Sequence, residues 1–270
     1  MKLNWHTIRE VIRVDLLTMR GGKKNGALVA VLIFLVFCLA AGFMISPVAS
    51  LYLPFILGGF FVPTLFHNEM KYHSEKMWSL LPIQRRDLVN ARFLLSYGLY
   101  AAVSLVVYLL MLLSMRLELW YRVTDENMID IISLVAKGMG MSKMGFFNMV
   151  YFAAVTAGMI FMGSTLRTYF RDPEALRTQM NLGAKGKSRI GSKKEITAAA
   201  VILGLFIVGA LAVTGILPII PAIRPVTYVF RQLAGAADGV IFGVILLTVA
   251  VFQVMVYYIG TLIDYDKREL

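Results

Sequence analysis

Cysteine is nearly missing from this sequence, and charge is scarce. The 270 residues hold one cysteine, Cys38, inside an apolar run, so neither an intrachain disulfide nor a thiolate metal cluster can be built. Charged residues make up 16% of the chain against 59% hydrophobic, and several long stretches contain none. Those stretches also lack histidine, so there is no intramembrane carboxylate for a proton relay. Nor is there the polar pair that an intramembrane enzyme would need. The first 25 residues show no apolar h-region and no small-residue cleavage site, so retention of the N-terminus is expected.

What the sequence does contain is apolar blocks of about 20 residues, the length that ~30 Å of hydrocarbon demands of a helix. The run 27–66 is charge-free and about twice one span, so it divides near Ser46-Pro47. The blocks predict six spans, at 27–46, 48–66, 93–115, 146–166, 196–217 and 239–262. The expected fold is therefore an all-α integral membrane protein, one transmembrane domain over 1–270. The segment from Leu217-Pro218-Ile219-Ile220-Pro221 to Arg224-Pro225 is too rich in proline for a continuous helix, and a short re-entrant or interfacial piece is expected there.

Orientation follows from the basic residues. The segment before the first span, the loops 67–92 and 167–195, and the C-terminal tail together carry 21 of the 27 lysines and arginines. Arg116, Arg122, Lys137, Lys143, Arg224 and Arg231 fall on the other side. The positive-inside rule puts both termini in the cytoplasm of a plasma-membrane protein. The formal net charge of +11 flanks apolar blocks rather than interleaving with aromatics, so nucleic acid is not an expected partner and membrane lipids are. Within 1–25, Trp5, Ile8, Ile12, Leu16 and Met19 recur at helical spacing while Arg9, Arg13 and Arg20 take another face, as in a helix lying in the headgroup plane.

Several patterns have bland readings. Asn181-Leu-Gly-Ala-Lys-Gly-Lys187-Ser188 ends like a phosphate-binding loop, but it lacks the first glycine and the strand-to-helix context that would aim backbone N–H groups at phosphate. Lys185, Lys187, Arg189, Lys193 and Lys194 read as a solvated basic loop. Asp172-Pro173-Glu174 with Gly183 brackets a short helix, Pro173 to Leu182. His67, Glu69, His73 and Glu75 do not share a face as an i, i+4 metal pair would, and read as solvated loop residues. Ser96, Tyr100, Ser104 and Tyr108 make a hydroxyl stripe, read as glue between helices. Ala154/Gly158, Ala200/Gly204 and Gly239/Gly243 permit close helix approach.

The loop Glu75-Lys76-Met77-Trp78-Ser79-Leu80-Leu81-Pro82-Ile83-Gln84-Arg85-Arg86-Asp87-Leu88-Val89-Asn90-Ala91-Arg92 resembles that of the small six-span permeases of type-2 ATP-binding-cassette exporters, bacterial peptide exporters among them. Their loop runs Leu-Pro-apolar-Ser-Arg, then an acid, then a basic residue entering the third span. Gln84 departs from the family's Ser or Thr, so the cap completed by Asp87 should be weaker. The resemblance implies a coupling element, Glu75, Lys76, Trp78, Leu80, Leu81, Pro82, Arg85 and Asp87, docking on a cytoplasmic ATPase subunit. That subunit would hold ATP and Mg, leaving this chain with no cofactor and no enzymatic activity. A second copy or a paralogue would complete the pathway, with Phe55, Phe60, Phe61 and Phe66 suited to an amphipathic peptide or lipid-like substrate. The alternative is a membrane-bound interaction or immunity protein that sequesters a toxin or lipid without transport.

Overall fold

A computed structural model of the chain describes residues 4–20, 47–66, 69, 78, 83–117, 133–134, 136–138, 140–173, 228, 232 and 236–267. Five long helices carry the described fold: α1 (Trp5–Arg20), α2 (Pro47–Leu65), α3 (Arg85–Arg116), α4 (Lys143–Arg171) and α5 (Val240–Asp266). Among the described residues, α3, α4 and the helix ending at Asp266 are long and apolar enough to cross a membrane. The ranges 27–46 and 196–217, the loop motif from Glu75 to Pro82 apart from Trp78, and the helix after Pro173 lie outside the described residues.

Each helix begins where local chemistry allows it. Asn4 Oδ1 accepts from the Thr7 N–H at the start of α1, and Ser142 Oγ accepts from the Gly145 N–H at the start of α4, so orphan amides of the first turn are satisfied. Gln84 is the N-cap of α3 but makes no side-chain cap hydrogen bond, in line with the weak cap expected from its sequence. α3 begins at Arg85, eight residues before the span expected at 93. Its 32 residues make a rod about 48 Å long at 1.5 Å per residue, more than the hydrocarbon thickness, so one stiff element joins the loop to the apolar core.

Contacts fix the helix directions. Tyr97 Oη donates to Met159 O, Tyr100 Oη to Val155 O and Tyr108 Oη to Asn148 Oδ1, so α3 and α4 are antiparallel. Tyr151 Oη reaches back to Ser104 O. Two members of the hydroxyl stripe, Tyr100 and Tyr108, thus bond across the helix seam, whereas the Ser96 and Ser104 hydroxyls are buried without a hydrogen-bond partner among the described residues. Tyr100 shares its proton between Val155 O and Pro54 O on α2. α2 and α4 run parallel and touch backbone to backbone: a Cβ on Gly58 would overlap the Gly158 backbone. α4 and α5 are also parallel, with Gly145 against Gly239, Phe152 against Gly243 and Gly163 against Tyr257.

At the α4 N-terminus a left-handed turn pins α5. Ala237 and Asp238 have φ of 47° and 55°, a region that disfavours residues with a Cβ. The Asp238 carboxylate holds the turn in place, accepting from Ser142 N at 3.0 Å and Ser142 Oγ at 2.5 Å.

Candidate functional site

The opposite end of the bundle, where α2 and α4 finish and α3 begins, is built around Arg92. Its side chain is 1% exposed, and an arginine so buried must have its charge and donors matched. Nη2 donates to Glu69 Oε2 at 2.5 Å and to Asp15 Oδ1 at 3.5 Å, Nε donates to Asp15 Oδ2 at 3.4 Å, and Nη1 donates to Tyr169 Oη at 2.6 Å. The planar guanidinium thus faces two carboxylates and a phenol at once, a geometry that a lysine cannot reproduce.

Four aromatic rings close around the same group. The guanidinium carbon lies 4.8 Å from the Phe66 ring centre, 5.1 Å from Trp78, 5.3 Å from Tyr169 and 5.9 Å from Phe170. The rings lie within cation–π range of the guanidinium and exclude water from it, and the low local dielectric strengthens the ion pairs. Phe66 and Tyr169 stack at 5.1 Å, so the cage walls support one another.

The elements that meet here are α1 (Asp15), the end of α2 with the residues following it (Phe66, Glu69), the loop (Trp78), α3 (Arg92) and the end of α4 (Tyr169, Phe170). Five elements are thus tied to one guanidinium, four of them through ion pairs, hydrogen bonds or the arginine itself and the loop through the Trp78 ring. Burial raises the Asp15 carboxyl above its ordinary range, the pull of Arg92 opposes that rise, and the charge of Glu69 adds to it. Asp15 therefore accepts a proton more readily than a solvated aspartate.

A second contact lies beside the cage. Arg85 Nη1 donates to the carbonyls of Tyr265 at 3.1 Å and Asp266 at 3.3 Å, placing a cation on the carbonyl end of α5, where the helix dipole is negative. Arg167 Nε meets Asp264 Oδ2 at 2.9 Å, with its guanidinium lying over Gly260.

Several residues singled out from sequence take positions that sequence did not foresee. Glu69 was expected in solvent; its side chain is 10% exposed and paired with Arg92, because the buried cation needs an anion more than the carboxylate needs water. The apolar face expected for α1 is shifted: Ile8, Val11 and Asp15 are buried while Trp5 and Leu16 are exposed, since Asp15 turns the helix toward Arg92. Asp87 is buried in the first turn of α3, and Arg85 is turned onto α5. Trp78 is half-buried against the arginine. Phe66 is 2% exposed within the cage, whereas Phe55 is exposed and sits 6.3 Å from Phe161. The side chains of Phe60 and Phe61, and residues Glu75, Lys76, Leu80, Leu81 and Pro82, lie outside the described residues.

Asp15, Tyr169 and Phe170 were missed by sequence reasoning. One signal for Asp15 was present: an acid four residues after Val11 and seven after Ile8, on the stripe that those two define.

Membrane-crossing helices joined at one end by a buried ion cluster define an integral membrane protein with a mechanically linked bundle. The chain belongs to the ABC-2 family of transporter proteins, whose family model matches residues 11–170, a range that contains every residue of the arginine cage. No curated protein and no solved structure matches the chain.

Proposed function

We propose that the chain is the permease subunit of an ATP-binding-cassette exporter, with loop 67–92 as the element that receives the push of a separate cytoplasmic ATPase. Membership of the ABC-2 family supports the permease role, and such permeases normally work with a cytoplasmic ATPase subunit. The observation that carries the coupling role is the arginine cage, which ties loop residues Glu69 and Trp78 to α1, α2, α3 and α4. In this reading Met77, Leu80, Leu81 and Pro82, with the charges of Glu75 and Lys76, supply the docking face. Arg85 and Asp87 act on the inner side of the loop.

A six-span topology with cytoplasmic termini goes with this reading. α2, α4 and α5 run in one direction and α3 in the other, the pattern expected for spans two, four, six and three, with 27–46 and 196–217 as the returning spans. The cage then lies at the cytoplasmic surface. A second copy or a paralogue completes the pathway, and the exposed Phe55, with Phe60 and Phe61, favours an amphipathic peptide or lipid-like cargo. Phe66 is better read as part of the cage.

The test is purification from native membranes. The chain should bring down an ATPase of this class and show no nucleotide hydrolysis when isolated; purification without any ATPase would favour a sequestering interaction protein.

A further inference from the structure

The match to the family ends at residue 170, and α5 lies beyond it. Yet the last turn of α5 makes polar and aromatic contacts with the loop end of the bundle. Arg85, the first residue of α3, reaches the carbonyls of Tyr265 and Asp266, and its guanidinium carbon lies 5.8 Å from the centre of the Tyr265 ring. The buried Tyr265 ring packs edge-on against Phe170 at 5.2 Å, and Phe170 is one wall of the arginine cage. On the other side, Arg167 pairs with Asp264. The rest of α5 packs one face on α4, with Gly243 against Phe152 and Tyr257 against Gly163, and leaves Val244, Val249, Phe252, Met255 and Ile259 exposed, as suits a helix face in lipid.

We propose that Arg85 is a positioning residue that makes the last span a driven element of the coupling machinery. This deepens the permease reading above and rests on it. Arg85 sits at the hinge between the docking loop and the α3 rod, so any rotation of the loop moves the guanidinium relative to the two carbonyls. A fixed cation at a helix carbonyl end either carries that end along or leaves it frayed, because the last four carbonyls of a helix have no partner within it. The loop therefore moves spans two and three through the arginine cage and span six through Arg85. The Tyr265–Phe170 contact keeps the two routes in step.

The test is hydrogen exchange on the full chain in lipid nanodiscs, alone and assembled with its ATPase, with and without ATP. In the chain alone, Arg85→Ala should speed amide exchange in the last turn of α5 by about tenfold, equivalent to about 1.4 kcal/mol, and Arg85→Lys should restore most of the protection. In the assembled complex, ATP should change exchange at both the first turn of α3 and the last turn of α5. With Arg85→Ala the α3 response should remain and the α5 response should vanish, a split that general destabilisation does not produce. Should Arg85→Ala fail to accumulate, Arg85→Gln, which keeps donors without the charge, takes its place. An α5 response to ATP that survives loss of Arg85 overturns the proposal and leaves the permease reading intact. An unmutated chain that binds no ATPase overturns the permease reading and this proposal with it.

Discussion

Replacing Arg92 by alanine is the most informative perturbation of the bundle. The substitution removes a guanidinium that is 1% exposed and leaves the Asp15 and Glu69 carboxylates, held at 3.4 and 2.5 Å from it, without that partner. Breaking a buried ion pair by deleting one member costs about 3–5 kcal/mol, and the loss of four ring contacts adds roughly 0.5–2 kcal/mol. Against a total stability of about 5–15 kcal/mol, that is enough to empty the folded state in a large share of molecules. At roughly 2–4 °C per kcal/mol for a chain of this size, the melting temperature in detergent should fall by about 7–28 °C. Arg92→Lys should lie between, since one ammonium cannot fork two carboxylates and a phenol. The triple variant Arg92→Met, Asp15→Leu, Glu69→Met removes the charges together and should recover most of the loss, because replacing a buried ion cluster by apolar residues of similar volume is often close to neutral in stability. Size-exclusion yield and thermal unfolding followed by tryptophan fluorescence read all three. If Arg92→Ala melts within about 2 °C of the parent, the arginine does not hold this end of the bundle together and the reasoning from the cage is wrong.

Other perturbations test other joints. Gly158→Ala places a methyl against Pro54 O at 2.6 Å and against the Tyr100 hydroxyl, and should destabilise by about 1–3 kcal/mol; Gly98→Ala, with nothing within 4 Å, should be neutral or stabilising in the same melts. Ala237→Gly relieves a positive φ and should raise stability by about 1 kcal/mol, while Asp238→Ala should lower it through loss of the Ser142 contacts. Because burial raises the Asp15 carboxyl, the folded state binds that proton more readily than the unfolded chain. The contribution of Asp15 is therefore fully present below the ordinary aspartate range and is lost as pH rises through the raised value. Asp15→Asn should flatten that part of the stability–pH curve, and an unchanged slope would mean that another group titrates there.

The helices were legible because lipid imposes a length and excludes charge, so uninterrupted apolar runs and basic flanks carry most of the information. α2, α4 and α5 fall close to the ranges read from the sequence, and α3 differs only by its earlier start. Gly158 and Gly243 were legible as close-approach points because small residues at spacing four let helix backbones come together. The arginine cage was not legible, for a physical reason. Arg92, Glu69 and Asp15 are ordinary members of basic and acidic flanks in one dimension, and their meaning appears only when three elements from distant parts of the chain converge. Periodicity placed a helix at the N-terminus but chose its buried face by counting apolar residues. The fold chose it by the one acid that had a buried partner.

The central claim, that loop 67–92 docks this chain onto an ATPase and passes its motion to the bundle, is tested most directly by replacing Leu80 and Leu81 together with aspartate and measuring association. Two unpaired charges placed in a partner groove cost several kcal/mol, enough to weaken binding by a hundredfold or more. The account predicts normal membrane yield of the double variant, with loss of both ATPase co-purification and substrate-stimulated hydrolysis. Normal yield with association and stimulated hydrolysis both intact would contradict it.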